Sequence, residues 1–128
     1  MSNEEYIAQF EGGEIAPENF HHCDHVRLAF AYLNNYSVLA ALEKFSCALK
    51  KFAAVAGKSD RYNETITYAY LFLIRERMER GGATDWENFS NQNPDLLSWR
   101  NGILDRYYEE STLKSDLARR VFVFPDKH

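Results

Sequence analysis

The apolar residues Val38, Leu42, Phe45, Leu49, Phe52 and Ala56 follow one another in alternating steps of four and three. That rhythm is the seam of a packed helix. A strand cannot present it, because a strand turns successive side chains to opposite faces. Ser37 stands where a cap belongs, and Gly57 where a helix-ending glycine belongs.

Helical spacing recurs along most of the chain. "SNEE" at Ser2 to Glu5 has the form of a capping box, and Tyr6, Ile7 and Phe10 follow at helical intervals before Gly12-Gly13. Val26, Ala29, Phe30 and Leu33 recur at i, i+3, i+4 and i+7, with Asp24, Arg27 and Ala31 on the opposite face and Asn34-Asn35 closing the helix. A helix from about Asn63 to Arg80 has no clear polar face between Ile66 and Ile74, so it is expected to be the central, most buried element. Thr84 and Glu87 form a second capping box, and Asn93-Pro94 opens another helix with proline at its first position. "STLKSDLARRVF" reads as a last short helix, and "VFVFPD" as an extended tail. The predicted architecture is an all-α compact bundle of about three long helices plus shorter C-terminal helices, in a single domain spanning residues 1–128.

Composition limits what such a bundle can do. Hydrophobic residues make up 45% of the 128 and aromatics 15%, ample for a core that buries roughly two-thirds of the unfolded surface. The formal charge of −4, with acids and bases interspersed, offers no attraction for a phosphate backbone, so nucleic acid is not an expected partner. Cys23 and Cys47 lack metal or redox spacing. The longest apolar run, "YAYLFLI", is far shorter than the roughly 20 residues of a membrane span, and the acidic start has no apolar leader. A cytoplasmic protein that does not cross a membrane is expected.

The chemistry is concentrated in "FHHCDH", Phe20 to His25, which holds every histidine except His128. At 100° per residue, His22 shares the apolar stripe with Val26 and Leu33, and His25 lies about 60° to its flank. His22 and His25 therefore point inward, with His21 as a substitute. A second inward polar cluster is expected at the start of the next long helix, where Glu64, Tyr68 and Leu71 share a face with Thr67 beside them. If Glu64 meets the histidines, the set suits one divalent transition metal with open positions. It equally suits a metal-free proton-handling pair. A purely structural pair of histidines, one at the helix start and one packed in the core, stays open beside both.

Sharper assignments fail. "ENFH" is the only Glu-x-x-His where a di-iron bundle needs two, and a three-histidine site drawn from separate helices would have to enlist His128. There is no H-E-x-x-H, phosphate loop or nucleophile elbow. Most tyrosines are expected in the core, with Tyr68 the exception for its closeness to Glu64.

The segments "FHHCDHVRLAFAYL", "YNETITYAYLFLI", "NPDLL" and "RYY…TLKSDLARRVFVFPD" resemble, in this order, an uncharacterised family of small all-helical bacterial proteins. The resemblance implies a motif F-x-H-x-acid-H-x-R on Phe20, His22, Asp24, His25 and Arg27, which favours His22 over His21. It implies a second motif on Tyr62, Glu64, Thr65 and Thr67, with Asn63 where histidine is usual. It attaches no activity.

Two functions compete. One is an inward polar pocket serving a small molecule or a divalent metal, with His22, His25 and Glu64 as ligand or metal contacts and Asn63, Thr67 and Tyr68 as orienting groups. The other is a non-enzymatic interaction module that pairs with a partner helix or forms a homodimer. Glu64 standing away from both histidines would sink the first.

Overall fold

The computed structural model describes residues 1–100 and 102–127; His128, which a three-histidine site would need, lies outside them. Among the described residues the secondary structure is entirely helical. The α-helices are α1 (Asn3–Glu11), α2 (His22–Asn35), α3 (Val38–Val55), α4 (Glu64–Gly81), α5 (Trp86–Gln92), α6 (Pro94–Leu97), α7 (Glu110–Leu113) and α8 (Asp116–Arg120). No helix among these residues is long and apolar enough to cross a membrane.

Local chemistry sets most of the boundaries. The Ser2 hydroxyl accepts from the Glu5 amide at 3.1 Å while Glu5 returns a bond to the Ser2 amide, which completes the capping box of α1. Ser37 caps α3, and the Asn63 side chain accepts from the Ile66 amide at 2.9 Å to start α4. At the other end of α4, Gly82 adopts φ 71° and donates to the Met78 carbonyl, a left-handed cap that a side chain would strain.

Three expectations shift. The cap of α5 is Asp85, one residue after Thr84, because its carboxylate takes both the Asn88 amide and the Asn88 side chain. Asn93 precedes Pro94 as foreseen, yet its side chain is drawn away from capping by Phe89 and Arg77. The last helical stretch is two helices, since Ser115 breaks it to cap α8.

The largest correction concerns the centre of the molecule. Residues Leu28 to Leu33 of α2 are all buried, Ala31 among them, so the helix keeps no solvent face along that run. α1, α3, α4 and α6 all pack against it. In α4, by contrast, Phe72 stays 43% exposed within the apolar run that suggested burial all round. Each large side chain fully buried around α2, such as Phe30, Leu28 or Phe89, contributes about 1.5–3 kcal/mol of hydrophobic stabilisation.

Two polar ties lock the later elements onto α4. Arg77 holds Asp95 with two parallel bonds, at 3.0 and 2.8 Å, and adds one to Asn93 at 2.8 Å. The guanidinium keeps the Asp95 carboxyl below its ordinary pKa. Fully buried Thr65 donates to the Val121 carbonyl at 2.8 Å and accepts from the Val123 amide at 3.0 Å, which seats the extended C-terminal segment. The other basic features are solvated pairs: Arg75 with Glu79, Arg80 with Glu76, and Arg119 and Arg120 with Asp116.

Thr65→Val keeps the shape and removes both tail bonds. Urea denaturation should show a loss of about 1–3 kcal/mol, with faster exchange of the Val123 amide. An unchanged midpoint and unchanged exchange would mean that the tail is held by packing alone.

Candidate functional site

The N-terminal turn of α2 projects past the most buried part of that helix and faces a groove of about 1020 Å³. Phe20, His21, His22 and His25 form one side, and Phe45, Leu49 and Phe52 of α3 the floor. Asn63, Ile66, Thr67 and Tyr70 of α4 stand opposite, and Trp99, Gly102 and Leu104 close the end. At Gly102 a Cβ would come within 3.1 Å of the Trp99 carbonyl and 3.3 Å of the Tyr70 hydroxyl, a tight fit that one of those neighbours would have to yield to.

The two histidines are held differently. The His22 Nε2 lies 2.9 Å from the Leu96 carbonyl oxygen. A carbonyl only accepts, so Nε2 carries the proton and neutral His22 keeps its lone pair on Nδ1. The ring lies 4.8 Å from that of Tyr70 and 5.2 Å from that of Trp99, centroid to centroid. Burial holds its pKa below the ordinary value, and the bond to Leu96 partly offsets this.

His25 stacks on Phe20 at 4.4 Å and is open to solvent along the groove, though crowded by protein elsewhere. Among the described residues no group hydrogen-bonds either of its ring nitrogens. Its pKa is pushed down to about 4, chiefly by burial and then by His22, against a smaller opposite pull from Asp24. The open side lets water temper that shift, and the ring is neutral at pH 7 on either account.

The structure does not bring Glu64 to the histidines. Its carboxylate accepts from the Tyr62 hydroxyl at 2.6 Å and faces Lys50 at 3.6 Å, and it does not line the groove. Burial, and then that bond to Glu64, raises the pKa of Tyr62. Tyr68 is also outside the groove, stacked on Phe122 at 6.0 Å. Among the described residues, no three histidine, cysteine, aspartate or glutamate side chains converge where one ion could sit. Asn63 and Thr67 do line the groove, but both are spent on local structure. Asn63 caps α4 and donates to the Leu113 carbonyl, while Thr67 donates to the Asn63 carbonyl.

The error in reading α4 was a rotation of one residue. The groove face runs Asn63, Ile66, Thr67, Tyr70, and the face through Glu64 and Tyr68 turns about 100° away. Tyr70 therefore joins Tyr62 in lining the groove, its pKa pushed up to about 12 by burial and then by Asp105. Following the Asn63 stripe would have found it. Trp99 carried no sequence signal. Both cysteines are free and exposed.

No protein-family model, curated protein or solved structure matches the chain.

The depressed histidines tie stability to pH. In the unfolded chain these rings titrate near 6.5, while in the fold they take up protons only at lower pH, near 4 for His25. Between those values the unfolded chain binds more protons, so this contribution is complete above about pH 6.5 and is lost as the pH falls towards 4. Denaturant midpoints from pH 7 to 4 should fall for the wild type and fall less for His25→Gln. An NMR titration placing His25 at or above 6.5 would contradict the geometry.

Proposed function

We propose that this chain binds a small, largely apolar molecule in the groove, with neutral His25 as the polar contact and His22 as a fixed neighbour. The observation that carries this reading is an imidazole whose two nitrogens are unpartnered among the described residues, in a concavity lined by Phe20, Phe52, Ile66 and Tyr70 and rimmed by charged residues such as Lys58, Asp60, Arg61 and Asp105. Concave, mostly apolar sites with few polar groups are the usual form of small-molecule sites. Binding is favoured over proton transfer. A general base works best near the ambient pH, and a ring held neutral down to acid pH is a weak one. With Glu64 turned to Lys50 and Tyr62, the Glu–His proton pair has no support in the geometry.

On this reading the scaffold is one domain, a bundle of α2, α3 and α4 on which the shorter C-terminal helices complete the groove. The resemblance of the two motifs to small bacterial proteins supports a bacterial origin, and a cytoplasmic setting is proposed with it from the short apolar runs.

A second reading, self-association, has its own observation. Tyr68, Phe122 and Phe124 form a chain of ring contacts on the outer side of α4, and Phe124 is 80% exposed. A concentration-dependent mass by light scattering, abolished by Phe124→Asp, would favour it.

The uncharged dye N-phenyl-1-naphthylamine tests the groove. Binding should brighten the dye and alter Trp99 emission. Ile66→Trp, which fills the groove, should weaken binding by at least about tenfold, roughly 1.4 kcal/mol, with the helical circular dichroism unchanged. Dye binding that ignores Ile66→Trp would place it elsewhere and overturn the reading.

A further inference from the structure

Resting on self-association, the second reading above, we propose how two copies meet. The extended segments from Val121 to Pro125 pair as antiparallel strands about a two-fold axis, with Phe122 of one copy opposite Phe124 of the other.

The segment has the two edges of a strand, and only one of them is used. Val121 is extended. The Thr65 hydroxyl reaches both the Val121 carbonyl and the Val123 amide, and the Tyr108 hydroxyl donates to the Val123 carbonyl at 2.7 Å. In an extended chain the N–H and C=O of one residue point to one side and those of the next residue to the other. Val121 and Val123 therefore spend their backbone on the body of the protein, and Phe122 and Phe124 turn theirs away from it. Among the described residues, no backbone group of Phe122 or Phe124 has a hydrogen-bond partner. Such an edge is a template for another strand.

The register follows from which groups are free. Setting Phe122 opposite Phe122 of the second copy would bring Phe124 opposite Arg120, whose backbone belongs to the last turn of α8. Setting Phe124 opposite Phe124 would bring Phe122 opposite Asp126, whose amide already donates to the Tyr107 carbonyl at 3.0 Å. Phe122 opposite Phe124 uses free groups alone. Each such pair exchanges both of its backbone bonds, and the two-fold axis repeats it on the far side of a central Val123–Val123 pair. Pro125 has no N–H to give, but its nitrogen falls on the inward side with those of Val121 and Val123, so the outer edge loses nothing.

The side chains agree with this register. Phe122 and Phe124 lie on one face with ring centroids 5.7 Å apart, and Phe122 stacks on Tyr68 at 6.0 Å. Pairing joins the rings of both copies into one aromatic cluster and covers Phe124, which is 80% exposed in a single copy. One step further along, Arg120 of one copy faces Asp126 of the other, an opposite charge. Arg120 bonds Asp116 through Nε at 2.9 Å and keeps its terminal nitrogens free among the described residues. Exposed Asp126 is held in place by the Glu109 amide and the Thr112 hydroxyl.

The test is sedimentation of the full chain over a range of concentrations. The wild type should pass from one copy to two and stop there, because a two-fold contact closes on itself. Phe124→Leu keeps the outward N–H, whereas Phe124→Pro removes it at a position that makes no bond in the single copy. The proline variant should therefore dimerise at least about tenfold more weakly than the leucine variant. Arg120→Glu and Asp126→Lys should each weaken the dimer alone, and an equal mixture of the two should restore it, since both facing pairs are then opposite in charge. A chain that stays single at every concentration overturns this proposal and self-association together. A dimer that does not distinguish proline from leucine, or that mixing fails to restore, leaves self-association standing through another face and overturns the strand pairing. Growth beyond two copies also overturns it. If Asp126→Lys loosens the segment, seen as faster exchange of the Val123 amide, the comparison of proline with leucine decides.

Discussion

The burial of α2 is the constraint on which the rest of the molecule depends. A helix with six consecutive residues shielded from water must be covered from every direction, and α1, α3, α4 and α6 supply that cover. Both ends of α2 extend past the cover, Asn34-Asn35 at one and the N-terminal turn with the histidines at the other. Their chemistry follows from that position. The crowding that pushes both imidazoles towards the neutral form is the edge of the same packing, and the positive end of the helix dipole acts in the same direction.

Much of the chain's local structure was legible in the sequence. Ser2 and Ser37 act through side chains that bond their own first turn, so their roles need no knowledge of the remainder of the fold. The expected inward turn of the histidines rested on the apolar stripe of one helix; His22 is half-buried, while His25, on the flank of that stripe, stays exposed. The central element could not be read. Burial of Ala31, and exposure of Phe72, are decided by which partners arrive, and periodicity describes only one helix at a time. Glu64 failed for a related reason: a carboxylate beside a tyrosine and a lysine satisfies itself locally, before any distant histidine can claim it.

The site owes its precision to ties made far from it. Arg77 grips Asp95 and Asn93 and so fixes the backbone of α6, whose Leu96 carbonyl sets the tautomer of His22. The ion pair and the imidazole never touch, but one orders the other through a single turn of helix. Phe20 does the equivalent for His25 by stacking rather than by hydrogen bonding. One ring is thus fixed by a proton and the other by a face, which leaves the second with its nitrogens open to the groove.

The His22–Leu96 bond joins residues 74 positions apart, and the Thr65–Val121 bond spans 56. The first three helices can meet as soon as they are made, since their contacts are between successive elements. The groove cannot. While a ribosome still holds the segment from Leu96 onward, the aromatic floor of α3 and the histidine turn stand open at the end that Trp99, Gly102 and Leu104 close, and His22 has no carbonyl to orient it. Until Trp99 and Leu104 arrive, the surface that becomes the groove is an unprotected greasy face on a partly made protein, open to association with any other nascent chain. Trp99 and Leu104 thus shield a face that the earlier helices leave open.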